Sequence, residues 1–349
     1  MELRAAHAAE RDKVLDLLAL WYGDRSFFAR YNLNDRSFRD DLCLIARDGG
    51  RLVATLQIFD RRVRLAGQAV PAAALGSVFT HQDYRGRGIA SALISLAIAT
   101  MEREGFEVSL LFSDRLNFYG RFGWRSAFRV ITIVSPPSSE HFTSAVALRP
   151  FDRARDLEQV RRIYDRYSGR FNTSVVRDKS YWLGNLSFAG NPDEFFVVAA
   201  REQAATAPIV AYARTIRYYQ LPAVMEYGYV PGCEDAMAAL IAELVALVSG
   251  RAQEGPLARY EEATLLKPSE GAEQTTALLA QTAHDPALEN ALTAKGFSLT
   301  YHTDVNYMWR VVSPTRLAAR LGWPADEVRK NLFSLVSARD AVFWTADRF

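Results

Sequence analysis

Residues 76–90 restrict the possible folds of this chain more than any other segment, because they join an apolar strand to an apolar helix through a basic loop. Residues 70–80 form a predicted strand, and residues 88–103 are apolar on nearly every side, which predicts a helix buried against a sheet. The loop between them contains Arg85, Gly86, Arg87 and Gly88. Glycines let the backbone curl without side chains in the way, and the amides that open a helix attract anions. The segment therefore predicts a diphosphate-binding loop, to which the two arginines add charge.

The glycine spacing distinguishes this loop from two common nucleotide-binding loops. A dinucleotide loop needs G-x-G-x-x-G, but Ser91 stands where the third glycine would be, and the GK[ST] ending of a P-loop is absent. The spacing R-x-x-G-x-A, carried by Arg85, Gly88 and Ala90 after V-x-T, instead resembles the acyl-CoA pyrophosphate loop of the GNAT superfamily of N-acetyltransferases. A turn of arginine and glycine that binds no ligand is the alternative. The resemblance implies that acetyl-CoA is bound by Val78, Phe79, Thr80, Arg85, Gly86, Arg87, Gly88, Ile89 and Ala90.

A tyrosine motif follows at the place where GNAT proteins carry one. After a predicted strand at residues 108–112, the run N-F-Y-G-R-F-G-W occupies residues 117–124 and contains Tyr119. Together with a second, divergent copy of the unit, this run resembles the Eis-like (enhanced intracellular survival) acetyltransferases. That family has two fused GNAT domains followed by a sterol-carrier-like domain, for which the residues after 310 are too few here.

The order of predicted elements recurs loosely after residue 146, and residues 118–124 align with residues 291–297. We therefore predict an α+β fold of two fused GNAT-like units, each a mixed, mostly antiparallel sheet flanked by helices. The predicted parts are a catalytic GNAT domain at residues 1–137, a degenerate GNAT-like domain at residues 146–310 and a short C-terminal segment at residues 311–349.

The second unit lacks the residues that would bind the same ligand. Its corresponding loop, residues 231–235, contains no arginine, and Glu234 and Asp235 would repel a diphosphate at the start of the following helix. Leu292 stands where the first unit has Tyr119. We expect this unit to have lost cofactor binding and to build the acceptor cleft or an oligomer interface.

The resemblance also implies how acetyl transfer is catalysed. A backbone N–H near Val78 and Phe79, on a β-bulge, would hold the thioester carbonyl, and Tyr119 would donate a proton to the leaving thiolate. A buried tyrosine whose hydroxyl is bonded elsewhere is the alternative for Tyr119. Residues 70–80 contain no carboxylate that could deprotonate the amine. In Eis-like enzymes the C-terminal carboxylate has this role, so Phe349 is the expected base, and a water relay beside a frayed terminus is the alternative.

Aromatic residues after the first predicted helix, residues 10–20, stand where GNAT folds build the acceptor wall. A second helix is predicted at residues 37–41. The expected acceptor-binding residues are Trp21, Asp24, Phe27 and Phe28, which would form an apolar, partly anionic slot for an amine. Ordinary packing between the two helices is the alternative.

Charge and cysteine content exclude several other classes of function. The formal net charge is +2, which gives no reason to expect nucleic acid or a membrane surface as a partner. Cys43 and Cys233 are too few for a disulfide framework or a zinc cluster, and no metal site is expected. The first residues lack a signal core, and no apolar run reaches the roughly 18 residues of a membrane span. These observations predict a cytoplasmic protein.

The sequence thus predicts an acetyl-CoA-dependent N-acetyltransferase. The resemblance implies a primary amine of a small molecule as acceptor, either an aminoglycoside or another polyamine, with protein lysine as the second choice, and it implies a homo-oligomer. A scaffold or regulator that binds acyl-CoA without turnover is the alternative; the strand without a carboxylate favours it, and Tyr119 argues against it.

Overall fold

The computed structural model describes residues 1–137, 146–189, 194–202, 204, 207–218, 221–250, 255–266, 278–281 and 285–347. The first half of the chain forms β1 (Glu2–Ala5), α1 (Arg11–Tyr22), α2 (Arg25–Asn34), β2 (Cys43–Asp48), β3 (Arg51–Leu65), β4 (Gln68–Thr80), α3 (Ile89–Arg103), β5 (Val108–Phe112), α4 (Leu116–Gly120) and β6 (Arg125–Ser135). The second half forms β7 (Ala147–Pro150), α5 (Arg153–Ser168), α6 (Lys179–Ala189), β8 (Glu194–Ala200), β9 (Ile209–Tyr218), β10 (Leu221–Tyr229), α7 (Glu234–Val248), β11 (Leu278–Gln281), α8 (Pro286–Ala294), β12 (Ser298–Val311), α9 (Pro314–Leu321) and α10 (Val328–Val336).

The described strands form one 12-stranded sheet in the order β1-β2-β3-β4-β5-β12-β6-β11-β10-β9-β8-β7. Neighbouring strands are antiparallel except for β4 with β5 and β10 with β11, which are parallel. Each parallel pair is joined through a helix, α3 in the first half and α7 in the second, as parallel strands require. The predicted α+β class, with a mixed and mostly antiparallel sheet flanked by helices, is confirmed.

The two halves exchange strands at the centre of the sheet. Strand β12, from the second half, lies between β5 and β6 of the first, pairing Tyr307 with Phe112 on one side and with Ala127 on the other. Strand β6, from the first half, in turn lies beside β11 of the second. One sheet includes strands from both halves of the chain, so it does not mark a domain boundary near residue 137 or residue 310. The division into separate domains at those positions stays a prediction.

Helices cover the two faces of the sheet differently. On one face, called the α3 face, Leu93, Ile94 and Ala97 of α3 are fully buried against strands of the first half. The opposite face, called the α1 face, carries α1 and the C-terminal helices, whose Leu332 and Val336 are also fully buried. Burying each large aliphatic side chain contributes roughly 1.5–3 kcal/mol, so these two layers hold the central strands in place.

The helix predicted at residues 37–41 is wrong, and the second helix begins earlier. Gly23 ends α1 in the left-handed conformation, with a φ of 69°, and Asp24 then accepts a 2.8 Å hydrogen bond from the Ser26 amide at the start of α2. A glycine commonly ends a helix, and an aspartate commonly caps the start of the next one. A search for apolar periodicity does not detect either signal. Only a 3₁₀ turn, Asp40–Leu42, lies near the predicted position.

The C-terminal segment is an integral part of the fold. After α10, Val342, Phe343 and Trp344 are buried, and the Trp344 indole donates a 2.9 Å hydrogen bond to the Ser168 hydroxyl of α5. The segment therefore connects the α1 face to the second half of the chain. None of the helices in the described ranges has the length and apolar character needed to cross a membrane.

Candidate active site

A gap opens in the sheet where β4 and β5 separate. The two strands pair only from Ala72 to Ala74, whereas β4 continues to Thr80. A β-bulge, in which Ser77 and Val78 together oppose one residue of β3, turns β4 away from its neighbour at this point. The bulge expected near Val78 is therefore present, and it leaves one edge of β4 without a β5 partner beside the loop that follows.

Ser77 holds the bulge in an unusual backbone conformation. Its φ is 51°, in the left-handed region that non-glycine residues rarely adopt. Such strain persists only where the surrounding structure enforces it, and it concentrates at functional sites.

We expect Ser77→Gly to keep or raise the free energy of unfolding and Ser77→Val to lower it by about 1–3 kcal/mol, because a β-branched side chain disfavours positive φ. Urea denaturation measures both changes. Ser126→Val in β6 is the matched control, since Ser126 lies in an ordinary strand where valine is well accommodated. Equal stability of the two Ser77 variants would show that the bulge is not strained.

The loop after β4 offers a row of free amides. A 3₁₀ turn, Gln82–Tyr84, is followed by Gly86 and Gly88, whose φ values are 76° and 77°. Gly88 begins α3 without a side-chain cap. Within the described ranges, no acceptor receives a hydrogen bond of normal geometry from these backbone amides: Gly86, Arg87, Gly88, Ile89, Ala90 and Ser91. Because they open a helix at an exposed loop, these amides form a nest of the kind that attracts anions.

Arginines surround this nest. Arg85 Nε donates a 3.2 Å hydrogen bond to the Thr80 carbonyl, so this side chain braces the loop against the end of β4. The Arg87 guanidinium lies 4.9 Å from the ring centre of Tyr84. Arg51, at the start of β3, lies 5.9 Å from the same ring and was not expected from the sequence, because it is distant from the loop along the chain. The positive charge therefore exceeds what the local motif supplies.

Tyr119 lies beside the gap on the α3 face. Its ring belongs to the same hydrophobic cluster as Val78 and Ile89, and it packs edge-on against Trp124 with ring centres 6.3 Å apart. Burial raises the pKa of Tyr119 to about 12, so the hydroxyl keeps its proton at neutral pH. Among the described residues no hydrogen bond involves this hydroxyl, and its pKa reflects burial and the charges of Arg115 and Asp114. A protonated tyrosine hydroxyl therefore lies at the edge of the gap.

The four residues expected to bind the acceptor have different environments. Trp21 is half exposed and stacks on Phe79 of β4, with ring centres 6.1 Å apart, so it does lie next to the gap. Phe28 is buried beneath α1, with Phe27 edge-on against it at 5.2 Å. Asp24 accepts hydrogen bonds from the Ser26 hydroxyl and amide, which lower its pKa, so this carboxylate caps α2.

The corresponding region of the second half is filled by protein. At the loop before α7, the Glu234 carboxylate accepts a 3.1 Å hydrogen bond from the Gly232 amide, which places a negative charge in the equivalent nest. In β10, a bulge precedes Glu226, and this buried carboxylate is bound by Arg177 at 2.6 Å. Tyr229 is also buried and donates a 2.6 Å hydrogen bond to Asp285. In this loop the Gly232 amide is therefore bonded to Glu234 and the Cys233 amide to the Val230 carbonyl, so described residues occupy part of the position that is open in the first half.

Phe349, the expected base, lies outside the described residues. Asp347 is the last residue described, and it is completely buried. Arg177 binds its two carboxylate oxygens at 2.7 and 2.9 Å, and the Tyr181 hydroxyl donates a further 2.9 Å hydrogen bond. Local sequence patterns do not indicate this cluster, since its members are up to 170 residues apart.

Residues 2–127 match the family model described as an acetyltransferase (GNAT) domain. The structure of the chain is similar to that of a probable N-acyltransferase from Enterococcus faecalis, with a TM-score of 0.65, 15% identity and coverage of 90% of this chain and 74% of that one. It is also similar to Eis1 from Mycobacterium abscessus, with a TM-score of 0.55, 17% identity and coverage of 92% and 76%. A third similar structure is N-myristoyltransferase from Saccharomyces cerevisiae with bound myristoyl-CoA, with a TM-score of 0.53, 13% identity and coverage of 88% and 79%. No curated protein matches the sequence. At these identities the likeness establishes the fold.

Proposed function

We propose, from the match of residues 2–127 to the acetyltransferase (GNAT) domain model, that the chain transfers the acetyl group of acetyl-CoA to a primary amine. The observation that carries this proposal is the nest of free amides at the start of α3, next to the gap between β4 and β5. A Cβ placed on Gly86 or Gly88 would meet no atom within 4 Å, so open space borders the loop at both glycines, which supports the proposal. The acceptor is a small molecule, for which the resemblance implies an aminoglycoside or polyamine, and a protein lysine is the second choice.

Each part of this site has a chemical task. The loop amides and Arg87 bind the diphosphate, and the unpaired edge of β4 at Val78 and Thr80 pairs with the amide groups of the pantetheine arm. An amide at the bulge donates to the thioester oxygen, and one such preorganised donor contributes roughly 3 kcal/mol to barrier lowering. The amine nitrogen bonds to the carbonyl carbon as the carbon–sulfur bond breaks. Tyr119 then protonates the leaving thiolate, and water in the gap accepts the proton that the amine loses.

The alternative function is an acyl-CoA-binding scaffold or regulator without turnover. It is favoured by the absence of a carboxylate or histidine from β4, which leaves the amine without a base on that strand. Release of thiol from acetyl-CoA, measured against a panel of primary amines, separates the two functions. Turnover with any amine supports the transferase, whereas tight acetyl-CoA binding without thiol release supports the scaffold.

We expect Gly88→Ala to weaken acetyl-CoA binding at least tenfold, because an alanine at a φ of 77° shifts the amides of the nest. Isothermal titration calorimetry measures the affinity, and we expect one acetyl-CoA per chain because the second nest is occupied by Glu234. Gly67→Ala is the matched control: Gly67 has a φ of 78° in the turn between β3 and β4, away from the nest. Two bound molecules per chain, or equal losses in both variants, would contradict the proposed binding site.

A further inference from the structure

A second polar group lies near the gap, on the α1 face. If the pairing of β4 with β5 continued past Ala74 and Leu110, Phe112 would stand opposite Gly76, so Phe112 marks the far side of the gap. The Arg129 guanidinium, from β6, lies 5.2 Å from the centre of the Phe112 ring. The Arg129 guanidinium therefore lies against the residue that marks the far side of the gap, although two strands separate β6 from β4 in the sheet.

Arg129 is buried and only partly satisfied. Its side chain is 8% exposed, and Nη2 donates a 2.5 Å hydrogen bond to Asp304 of β12. Its Nε and Nη1 groups are buried without a hydrogen-bond partner among the described residues. A guanidinium can only donate, and buried donors without partners are rare in folded proteins. The two free groups therefore call for an acceptor that the described chain does not supply.

Two aromatic side chains of β12 lie against the same place. The rings of Tyr307 and Trp309 are 5.5 Å apart, and Tyr307 stacks on Phe112 at 5.0 Å. The buried Tyr307 hydroxyl interacts with the side chains of Thr173 and Trp309, so these polar groups supply partners for one another. Among these side chains, the Arg129 guanidinium is therefore the group whose buried donors are left over.

The carboxylates of this face are already neutralised. Asp35 is bound by Arg61 at 2.6 Å, Asp304 by Arg129 and Asp347 by Arg177. A carboxylate that is paired with a buried arginine attracts a further ammonium group only weakly, because the two charges of the pair largely cancel. The second cation of a polyamine therefore gains little here.

We propose that the acceptor carries a carboxylate in addition to its amine, and that Arg129 binds this carboxylate while the amine reaches the thioester in the gap. The proposal rests on the proposed acetyltransferase function and specifies its substrate class as an amino acid with the two groups at opposite ends. Arg129 supplies its two free N–H donors, which its pairing with Asp304 leaves unused, and Phe112 contacts the apolar part of the molecule. This class replaces the aminoglycosides and polyamines that the resemblance implies.

Three amines with the same five-carbon chain test the proposal. Pentylamine ends in a methyl group, 1,5-diaminopentane in an ammonium and 6-aminohexanoate in a carboxylate. Thiol release from acetyl-CoA is measured with each, and we expect kcat/KM for 6-aminohexanoate to exceed that of the other two at least tenfold, mainly through KM. In Arg129→Met the ratio of 6-aminohexanoate to pentylamine should fall to about one. Arg125→Met is the matched control, because Arg125 lies on the same strand with its guanidinium 5.6 Å from Phe333, and it should keep the wild-type ratio.

A binding measurement separates this inference from the reaction itself. Hexanoate has the carboxylate but no amine, so it should raise the melting temperature of the wild type, with acetyl-CoA present, and not that of Arg129→Met. The double variant Arg129→Met with Asp304→Asn keeps the site neutral if the single variant fails to fold. Turnover of all three amines at equal rates would overturn the proposal and leave the transferase intact. Absence of turnover with every amine would contradict the proposed function, and if hexanoate also failed to bind, the carboxylate site would fall with it.

Discussion

Replacing Arg177 by methionine is expected to lower the free energy of unfolding by about 3–5 kcal/mol, because it leaves two buried carboxylates without their main cation. Arg177 binds Glu226 at 2.6 Å and Asp347 at 2.7 Å, and all three side chains are fully buried. Its guanidinium also lies 4.0 Å from the ring centre of Tyr164, so packing is lost together with charge. Chemical denaturation measures the change. Arg103→Met is the control, since Arg103 is 64% exposed and its pair with Glu104 should contribute less than about 1 kcal/mol.

The pH dependence of stability tests the same cluster. Burial alone would raise the pKa of Glu226, but the charges of Arg177 and Arg214 outweigh it and lower that pKa below its ordinary value. A depressed carboxylate stabilises the fold above its unfolded pKa, about 4.3, and this contribution is lost as the pH falls through the folded value. In Arg177→Met the pKa of Glu226 rises, so the loss should begin at a higher pH than in the wild type. Identical acid denaturation curves for the two proteins would contradict this account.

Tyr119→Phe is expected to lower kcat by about 10²–10⁴-fold and to leave the affinity for acetyl-CoA within about threefold, because only the proton donor is removed. The ring itself remains, so its packing against Trp124 is preserved. Thiol release gives the rate, and calorimetry gives the affinity. Tyr301→Phe is the control, since Tyr301 is half exposed on β12. An undiminished rate in Tyr119→Phe would remove the proton-donor role.

The pH–rate profile adds a second check on Tyr119. Because its pKa is about 12, the hydroxyl is protonated throughout the range from neutral to mildly alkaline pH. Ionisation of Tyr119 should therefore cause no loss of kcat below about pH 11. A fall in kcat near pH 10 that disappears in Tyr119→Phe would mean that this tyrosine titrates as an exposed one.

Local patterns in the sequence were sufficient to predict the central strand, the loop and the helix of the site. The predicted strand at residues 70–80 and helix at residues 88–103 agree closely with β4 and α3, because period, glycines and loop charge are all properties of neighbouring residues. The bulge at Ser77 was expected only from the resemblance. The local sequence does not indicate the bulge, since a positive φ is usually predicted from a glycine and residue 77 is a serine.

Contacts between distant residues were beyond what the sequence could predict. The exchange of β6 and β12 depends on which strands pair, and an alternating pattern does not specify a partner. The same applies to Arg129. Its local sequence indicates only an arginine on a strand, and its contacts with β12 and the Phe112 ring depend on the strand order of the folded sheet. Arg177 and Asp347 are separated by 170 residues, so no spacing rule could connect them.

The placement of β12 between β5 and β6 also determines when the acetyltransferase half can be completed during synthesis. On the ribosome, residues 1–137 emerge first. The position between β5 and β6 in their sheet stays unfilled until residues 298–311, which form β12, have been synthesised. Nascent chains lengthen by about 5–20 residues per second, so this half waits on the order of ten seconds or more with exposed strand edges. The second half therefore completes the sheet of the first half, whatever its own chemistry, since it carries the strand that lies between β5 and β6.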